Sequence, residues 1–221
     1  MRKKLTRLKL FIFGANGQVG QHLVKELAKN DDNIITVFLR LNSQAGKLKQ
    51  LGASNSIIGD LTDKEAINQV PDDTDVVIFV AGSQGKDVIN VDQKAAMSVA
   101  DVVKDKQISH YILLSSYGAD SHSTTEHSLK EYLIAKGKAD DYVKKLGIPF
   151  TILKPGVLDN HSGTGLISVK KENLEVSNRS IPREDVAKVI AYIAENQLLI
   201  GESLELISGN QSIEQGLKSL R

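Results

Sequence analysis

One glycine pattern constrains this chain more than any other feature. Phe11-Ile12-Phe13 is a continuous apolar run, and Gly14-Ala15-Asn16-Gly17-Gln18-Val19-Gly20 follows it without a break. Residues 18–29 then read as an amphipathic helix. In such a GxxGxxG turn the first glycine permits a tight strand-to-helix reversal, and the second lets backbone approach a pyrophosphate. The third lets the helix pack close to the strand. The helix N-terminus beyond it offers unpaired N–H groups to phosphate. A glycine-rich turn without a ligand is the plainer alternative, but the strand before and the helix after favour dinucleotide binding. Gly14, Asn16, Gly17, Gln18, Val19 and Gly20 are its expected contacts.

The rest of the chain repeats that alternation. Of the strand-like runs at 8–13, 33–39, 55–58, 75–80, 110–115 and 149–153, most are continuous rather than alternating, as strands buried on both faces should be. Helix-like stretches at 18–29, 44–51, 63–69, 86–104 and 126–146 separate them. Five strand–helix repeats imply right-handed crossovers, so the expected class is α/β with a doubly wound parallel sheet. After residue 153 the pattern loosens. A polar connection at 155–182 with a candidate strand at 166–169 precedes a helix near 183–195, a strand at 203–207 and a helix near 212–220. The organisation expected is a basic, disordered leader at 1–7 and one domain at 8–221, whose part 155–221 forms a small substrate-side lid.

Composition removes several functions. Lys and Arg number 28 against 27 Asp and Glu, and five of the basic residues fall in the first nine. The slightly acidic remainder has no footprint for nucleic acid or an anionic membrane. No apolar run reaches the ~18–20 residues of a membrane span, so a cytoplasmic protein is expected. The absence of cysteine excludes disulfides and thiolate chemistry. His22, His110, His122, His127 and His161 lack ligand spacing, so no metal is expected. There is no GxSxG elbow and no Walker lysine, which removes hydrolase and P-loop readings. A small-molecule substrate is the expected partner, with monomer and homodimer both open.

Two further stretches carry chemistry. An acid at the end of the second strand would hold the ribose hydroxyls of NAD, and a base would pair with the 2′-phosphate of NADP. The chain has Arg40 and no acid there, so NADP(H) is preferred, with NAD(H) as the alternative and a plain surface arginine as the competing explanation. The fifth strand ends in Ser115-Ser116, and Tyr132-Leu133-Ile134-Ala135-Lys136 follows sixteen residues later. A spacing of four puts the Tyr132 phenol and the Lys136 ammonium on one helical face.

Taken together, these stretches resemble the short-chain dehydrogenase/reductase superfamily in its extended and atypical branches, from about residue 10 to residue 194. The resemblance implies Tyr132 as general acid/base, with Lys136 lowering its pKa and holding the nicotinamide ribose. Ser116, with Ser115 next, would bond the substrate oxygen. Asp60 and Leu61 of Gly59-Asp60-Leu61-Thr62 would meet adenine, unless Asp60 is only a helix N-cap. Ala81 and Gly82 would approach ribose and phosphates, Ser115 the cofactor, and Pro155 and Gly156 of Lys154-Pro155-Gly156 the nicotinamide. Asp92 stands where the family usually has Asn, because Asn90 would face elsewhere; this puts the family's water-mediated proton relay in doubt without excluding chemistry. In Ser180–Ala187, similar to the family's I-x-R-x-D-V-A stretch, Pro182 and Asp185 fit a helix start, and Arg183 a bridge from lid to sheet. The implied function is an NADP(H)-dependent oxidoreductase acting on a small carbonyl or alcohol. The alternatives are a nucleotide-sugar epimerase or dehydratase, which normally needs more chain than 155–221, and an NADPH-sensing regulatory protein without turnover.

Overall fold

The computed structural model describes residues 7–123, 128–172, 174 and 179–220. Residues 1–6 of the expected leader lie outside them, and Arg7 is exposed coil. Seven strands pair in parallel: β1 (Lys9–Phe13), β2 (Ile34–Leu39), β3 (Asn55–Ile58), β4 (Val76–Phe79), β5 (His110–Leu114), β6 (Phe150–Pro155) and, much later in the chain, β10 (Glu202–Ser208). Helices α1 (Gln18–Leu27), α2 (Ala45–Gln50), α3 (Lys64–Ile67), α4 (Ala96–Asp105) and α5 (Lys130–Leu146) fill the crossovers. The spatial order is β11-β8-β10-β6-β5-β4-β1-β2-β3, with β8 (Leu166–Lys170) antiparallel to β10 and β11 (Gln211–Ser212) antiparallel to β8. From β1 the chain runs outward to β2 and β3, then returns to the other side at β4. That reversal opens a crevice at the strands' carboxyl ends, where α/β proteins hold ligands.

Burial explains why the inner strands β1, β2, β4 and β5 are nearly continuous apolar runs, whereas β3 (NSII), at the edge of the sheet, is largely exposed. Leu10 and Ile12 of β1 face one cluster, with Leu23, Leu27 and Ile190, while Phe11 and Phe13 face the other, with Phe79, Val99 and Tyr111. Each fully buried side chain of this size contributes about 1.5–3 kcal/mol. The residues expected as a lid divide in two. β8, β10 and β11 extend the sheet beyond β6, and α6 (Arg183–Asn196) packs on α1 over the first cluster. β7 (Val157–Asp159) and β9 (Ser180–Pro182) pair as a separate parallel ribbon, and α7 (Ile213–Lys218) ends the fold. The expected helix at 86–104 is likewise divided. It opens with a π-helical stretch, Val88–Ala95, capped by the Asp87 carboxylate on Asn90 N–H, before α4 begins. The wider turn is a common device at functional sites, and here it carries Asp92. Residues 124–127, which include the first part of the helix expected from 126, lie outside the described residues. Among those residues no helix is long and apolar enough to cross a membrane.

His110 gives the fold a pH dependence. The Thr151 hydroxyl donates to the Leu199 carbonyl at 2.9 Å, so it accepts from His110 Nε2–H at 2.8 Å. Nδ1 is buried with no hydrogen-bond partner among the described residues. Burial lowers the imidazole pKa to about 4, against about 6.5 in the unfolded chain. As pH falls through that window the unfolded state takes the proton first, so stability falls from pH 6.5 toward 4. The expected loss from this group between pH 7 and 5 is about 2 kcal/mol. Urea unfolding at both pH values, with His110→Gln beside the wild type, should show a flatter dependence in the variant.

Candidate active site

The glycine turn is built as a cradle. Gly14 has φ +87°, and a Cβ there would lie 2.4 Å from the Ala81 backbone nitrogen. Only glycine combines that conformation with that approach. A Cβ on Gly20 would meet the Gly14 carbonyl oxygen at 2.3 Å, so the third glycine seats α1 against the turn. Gly17 N–H donates to the Gly14 carbonyl at 3.0 Å. Gly17 is the N-cap of α1 and no side chain caps it, so the first-turn N–H groups face outward without a local carboxylate or hydroxyl. Gly14, Asn16 and Gly17 line the cleft beyond β1 and β4, and Gln21 Nε2 fixes the Asn16 carbonyl at 2.6 Å. Val19 and Gly20 are buried behind that surface, whereas Gln18 is exposed on an adjoining cleft with His22.

The cleft is about 570 Å³, enough for a nucleotide. Arg40 stands exposed at the end of β2, opposite Asp60 and Leu61. Thr62 donates its N–H (2.8 Å) and hydroxyl (2.7 Å) to one Asp60 oxygen. With a smaller contribution from Arg40, these bonds hold the carboxyl below its usual range. Asp60 is not the N-cap of α3; Asp63 is, accepting from Glu65 N–H at 2.9 Å. Ala81, Gly82 and Ser83 complete the wall beyond β4. The residues present therefore fit a dinucleotide: a cradle that a Cβ would fill, an uncapped helix start, and a cation at the far end.

A second cavity of about 670 Å³ opens past β5 and β6, with Ser115, Ser116 and Tyr132 on its wall. Pro155 and Gly156 border it too, beside Leu133, Val157 and Leu158, so these two line the cavity rather than the glycine-turn cleft. A Cβ on Gly156 would overlap the Arg179 carbonyl oxygen at 1.8 Å. The Arg179 guanidinium lies 4.5 Å from the centre of the Tyr117 ring.

Between cleft and cavity lies a buried charged cluster. Lys136 is 3% exposed; its Nζ donates to the Leu114 carbonyl at 3.1 Å and lies 3.6 Å from Asp92 Oδ1. Asp92, 1% exposed, accepts from Ser83 N–H (3.0 Å) and the Ser83 hydroxyl (2.6 Å), which ties the cluster to the cleft wall. Burial lowers the Lys136 pKa, opposed by Asp92 and Asp140. Lys136 sits 5.8 Å from the centroid of the Tyr132 ring, and Ser116, whose hydroxyl donates to the Tyr117 carbonyl at 3.3 Å, lines the same cavity wall as the phenol. The expected depression of the Tyr132 pKa is reversed. Burial, with smaller contributions from the Asp92 and Asp140 charges, pushes it up to about 12. The physical reason is that a buried phenol loses the solvation its anion would need, and the carboxylates nearby disfavour that anion further.

The structure thus brings together Ser116, Tyr132, Lys136 and Asp92, and separately Gly14, Asn16, Gly17, Arg40, Asp60, Leu61, Ala81 and Gly82. The Ser115 hydroxyl donates to Asp140 Oδ2 at 2.9 Å. Asp140 is the residue sequence reasoning missed. It lies four after Lys136, as Lys136 lies four after Tyr132, so an acid continues the stripe among buried Ala135, Ala139 and Val143. That spacing was a usable signal. Its partner Lys154, 3.2 Å away, was noticed only as the first residue of Lys154-Pro155-Gly156. Arg183 bonds the Leu158 carbonyl (3.0 Å) and Asn160 (2.9 Å), joining α6 to β7. Asp185 accepts from Thr164 N–H (2.8 Å) and Gly165 N–H (2.9 Å), so it pins the entry to β8 as well as sitting in the first turn of α6.

Comparison with known proteins agrees with this geometry. Residues 14–197 match the model of a family described as NAD(P)H-binding. The uncharacterized sugar epimerase YhfK of Bacillus subtilis is 30% identical over 217 residues, covering 96% of this chain and all of that protein. Sanguinarine reductase of Eschscholzia californica is 25% identical over 262 residues, covering 99% of this chain and 94% of the relative. The crystal structure of the oxidoreductase ylbE from Lactococcus lactis superposes with a TM-score of 0.83 at 29% identity, covering 96% of each chain. The chain belongs to the NAD(P)H-binding Rossmann-fold family, in the part of it that is like the atypical short-chain dehydrogenases/reductases.

Proposed function

We propose that this protein is an NADPH-dependent reductase of a small carbonyl compound, with Tyr132 as its proton donor. The observation that carries the reading is a phenol held in its neutral form on the wall of a cavity that Ser116 also lines, one helical turn from a buried lysine. A neutral phenol is the acid that a carbonyl oxygen needs as it gains negative charge. Ser116 offers that oxygen a second donor. Lys136, 5.8 Å from the centre of the phenol ring, pairs with Asp92, which Ser83 ties to the cofactor cleft. The nicotinamide nucleotide, when bound, supplies the hydride; Gly14, Asn16, Gly17 and the start of α1 would hold its pyrophosphate. A reductase and an oxidoreductase among the relatives support this direction. The test is NADPH oxidation at 340 nm with a panel of quinones, aldehydes and ketones. Turnover confined to nucleotide sugars would favour epimerase or dehydratase chemistry, and NADPH binding without turnover on any panel would favour a sensor.

Cofactor choice rests on Arg40. A guanidinium pairs bidentately with a phosphate, and such charge-assisted bonds contribute about 1.5–3 kcal/mol. Arg40→Ala should therefore weaken NADPH binding about 10- to 100-fold and leave NADH binding within about twofold. Fluorescence titration of both nucleotides measures this, and wild-type protein that binds NADH as tightly as NADPH would sink the assignment.

A further inference from the structure

The Asp140 carboxylate is buried at 1% exposure and bridges two open spaces. On one side its Oδ2 accepts from the hydroxyl of Ser115, which lines the Tyr132 cavity. On the other, Lys154 Nζ lies 3.2 Å from the same oxygen and donates to the Ala119 carbonyl at 3.3 Å. Lys154, with a side chain 16% exposed, and Asp140 both border an outer cleft of about 450 Å³ that also holds Asp120, His122 and Asp141. Loop 119–122 is pressed onto α5 here, since a Cβ on Gly137 would lie 2.3 Å from Ser121 N. Oδ1 of Asp140 has no hydrogen-bond partner among the described residues. A carboxylate with an unpartnered oxygen is expensive to bury if its only task is structural.

We propose that Lys154, Asp140 and Ser115 form the route by which a solvent proton reaches the Tyr132 cavity, in place of the relay that the family's Asn serves and that Asp92 alters here. The inference rests on the reductase reading. After Tyr132 has given its proton to the substrate oxygen, the phenolate must regain one. Ser115 releases its hydroxyl proton into the cavity, to the phenolate directly or across a water. The Asp140 carboxylate, which at rest accepts from Ser115 and pairs with Lys154, takes the Lys154 ammonium proton and passes it on to re-form the Ser115 O–H bond. That restores the carboxylate, and the Lys154 amine takes a proton from water in the outer cleft. One proton moves from solvent to the phenolate, and no electron moves.

The charged surroundings suit a group that holds a proton transiently. Burial raises the Asp140 pKa, while Lys154 on β6, Ser115 at the end of β5 and Lys136 one turn back on α5 oppose it. Tyr111 on β5 and Tyr132 on α5 both feel its charge, and Asp92 faces it across Lys136.

The test is the pH profile of kcat. Asp140→Asn keeps the shape and an acceptor for Ser115 but cannot carry a proton. At pH 8.5 its kcat should fall tenfold or more, at pH 6 much less, with NADPH affinity unchanged and imidazole restoring the rate in a saturable way. Lys154→Met should show the same signature and carries the test if Asp140→Asn does not fold. Variants within twofold of wild type across pH 6–9, or a loss equal at every pH and indifferent to imidazole, would overturn the route. Loss of turnover in Tyr132→Phe alongside intact Asp140→Asn would leave the reductase reading standing while the route falls. If the wild type reduces no carbonyl, that reading falls, and carbon-13 NMR of the resting protein still decides the route. The Asp140 carboxyl must titrate above an ordinary aspartate and shift in Lys154→Met, whereas a carboxyl ionised down to pH 3 would end it.

Discussion

Under the proposed reductase reading, replacing Tyr132 by Phe should lower kcat for carbonyl reduction by about 10²–10⁴-fold, the usual loss when a positioned general acid is removed. That corresponds to roughly 3–5 kcal/mol of transition-state stabilisation. Stability should barely change, because the ring keeps its place in α5 and only the phenolic oxygen is lost from the cavity wall. NADPH affinity should stay within about twofold, since the cleft residues are untouched. The pH profile adds a second check. With the phenol pKa pushed up to about 12, Tyr132 remains a proton donor through neutral and mildly alkaline pH. An alkaline fall in the chemical step of reduction below about pH 10 is therefore expected from groups other than this phenol. Steady-state kinetics on both proteins with one reduced carbonyl, together with a nucleotide titration, measures all of this. Unchanged kcat in the variant with NADPH still bound would mean that water, not Tyr132, protonates the substrate.

Asp92→Asn supplies a complementary contrast within the same cluster. Asn keeps an acceptor for Ser83 but removes one of the charges that raises the phenol pKa. The alkaline limit of reduction should move to lower pH, because Lys136 is then less fully neutralised beside the ring. The sign follows from which protonation state the neighbours favour: a carboxylate beside a phenol disfavours phenolate, and its removal relieves that.

What was legible in the sequence follows period and spacing. β1, β2, β4, β5 and β6 are apolar enough, and the crossovers regular enough to place the short, half-polar β3 between them, that element order and sheet class follow from the chain alone. The glycine turn was legible because each glycine answers a separate steric demand, which the Cβ approaches at Gly14 and Gly20 bear out. The Tyr132/Lys136 pair was legible from spacing, and Ser116 from its strand end. The part after β6 was less so, because β7, β9 and β11 are only two or three residues long and carry no period. β10 and β8 were found as strands, but nothing local told that they continue the main sheet, since pairing is a long-range property. The protonation of Tyr132 was misjudged for a related reason. Lys136 is visible four residues away, whereas the burial of the phenol, the larger cause, and the carboxylates beside it, from the Val88–Ala95 stretch and the next turn of α5, come from the folded packing. Charge balance in a buried cluster is decided by chain segments far apart in sequence.

Gly14→Ala should have the largest effect of any single-methyl change in the nucleotide cleft. The new Cβ would lie 2.4 Å from Ala81 N, 2.6 Å from Ala81 Cα and 2.7 Å from the Val80 carbonyl carbon. All three are backbone atoms just past β4, so no rotamer change relieves the overlap. The φ of +87° adds strain for any residue with a Cβ. Overpacking of about 1–3 kcal/mol and backbone strain of about 1–2 kcal/mol together predict a loss of roughly 2–5 kcal/mol in urea unfolding. NADPH binding should be lost as well, since relief requires the turn after β1 and the end of β4, both on the cleft wall, to part. Gly17→Ala separates the two effects. Gly17 has φ −69°, and its Cβ would approach nothing closer than the Gly14 carbonyl at 3.2 Å, so the fold should lose about 1 kcal/mol or less. Its Cβ would nevertheless stand on the exposed face of the turn, where the pyrophosphate must come against backbone, and affinity should drop at least tenfold. Chemical denaturation and fluorescence titration on the two variants read these losses independently. If Gly17→Ala binds NADPH as the wild type does, the pyrophosphate does not lie on this turn, and the cleft has been assigned to the wrong ligand.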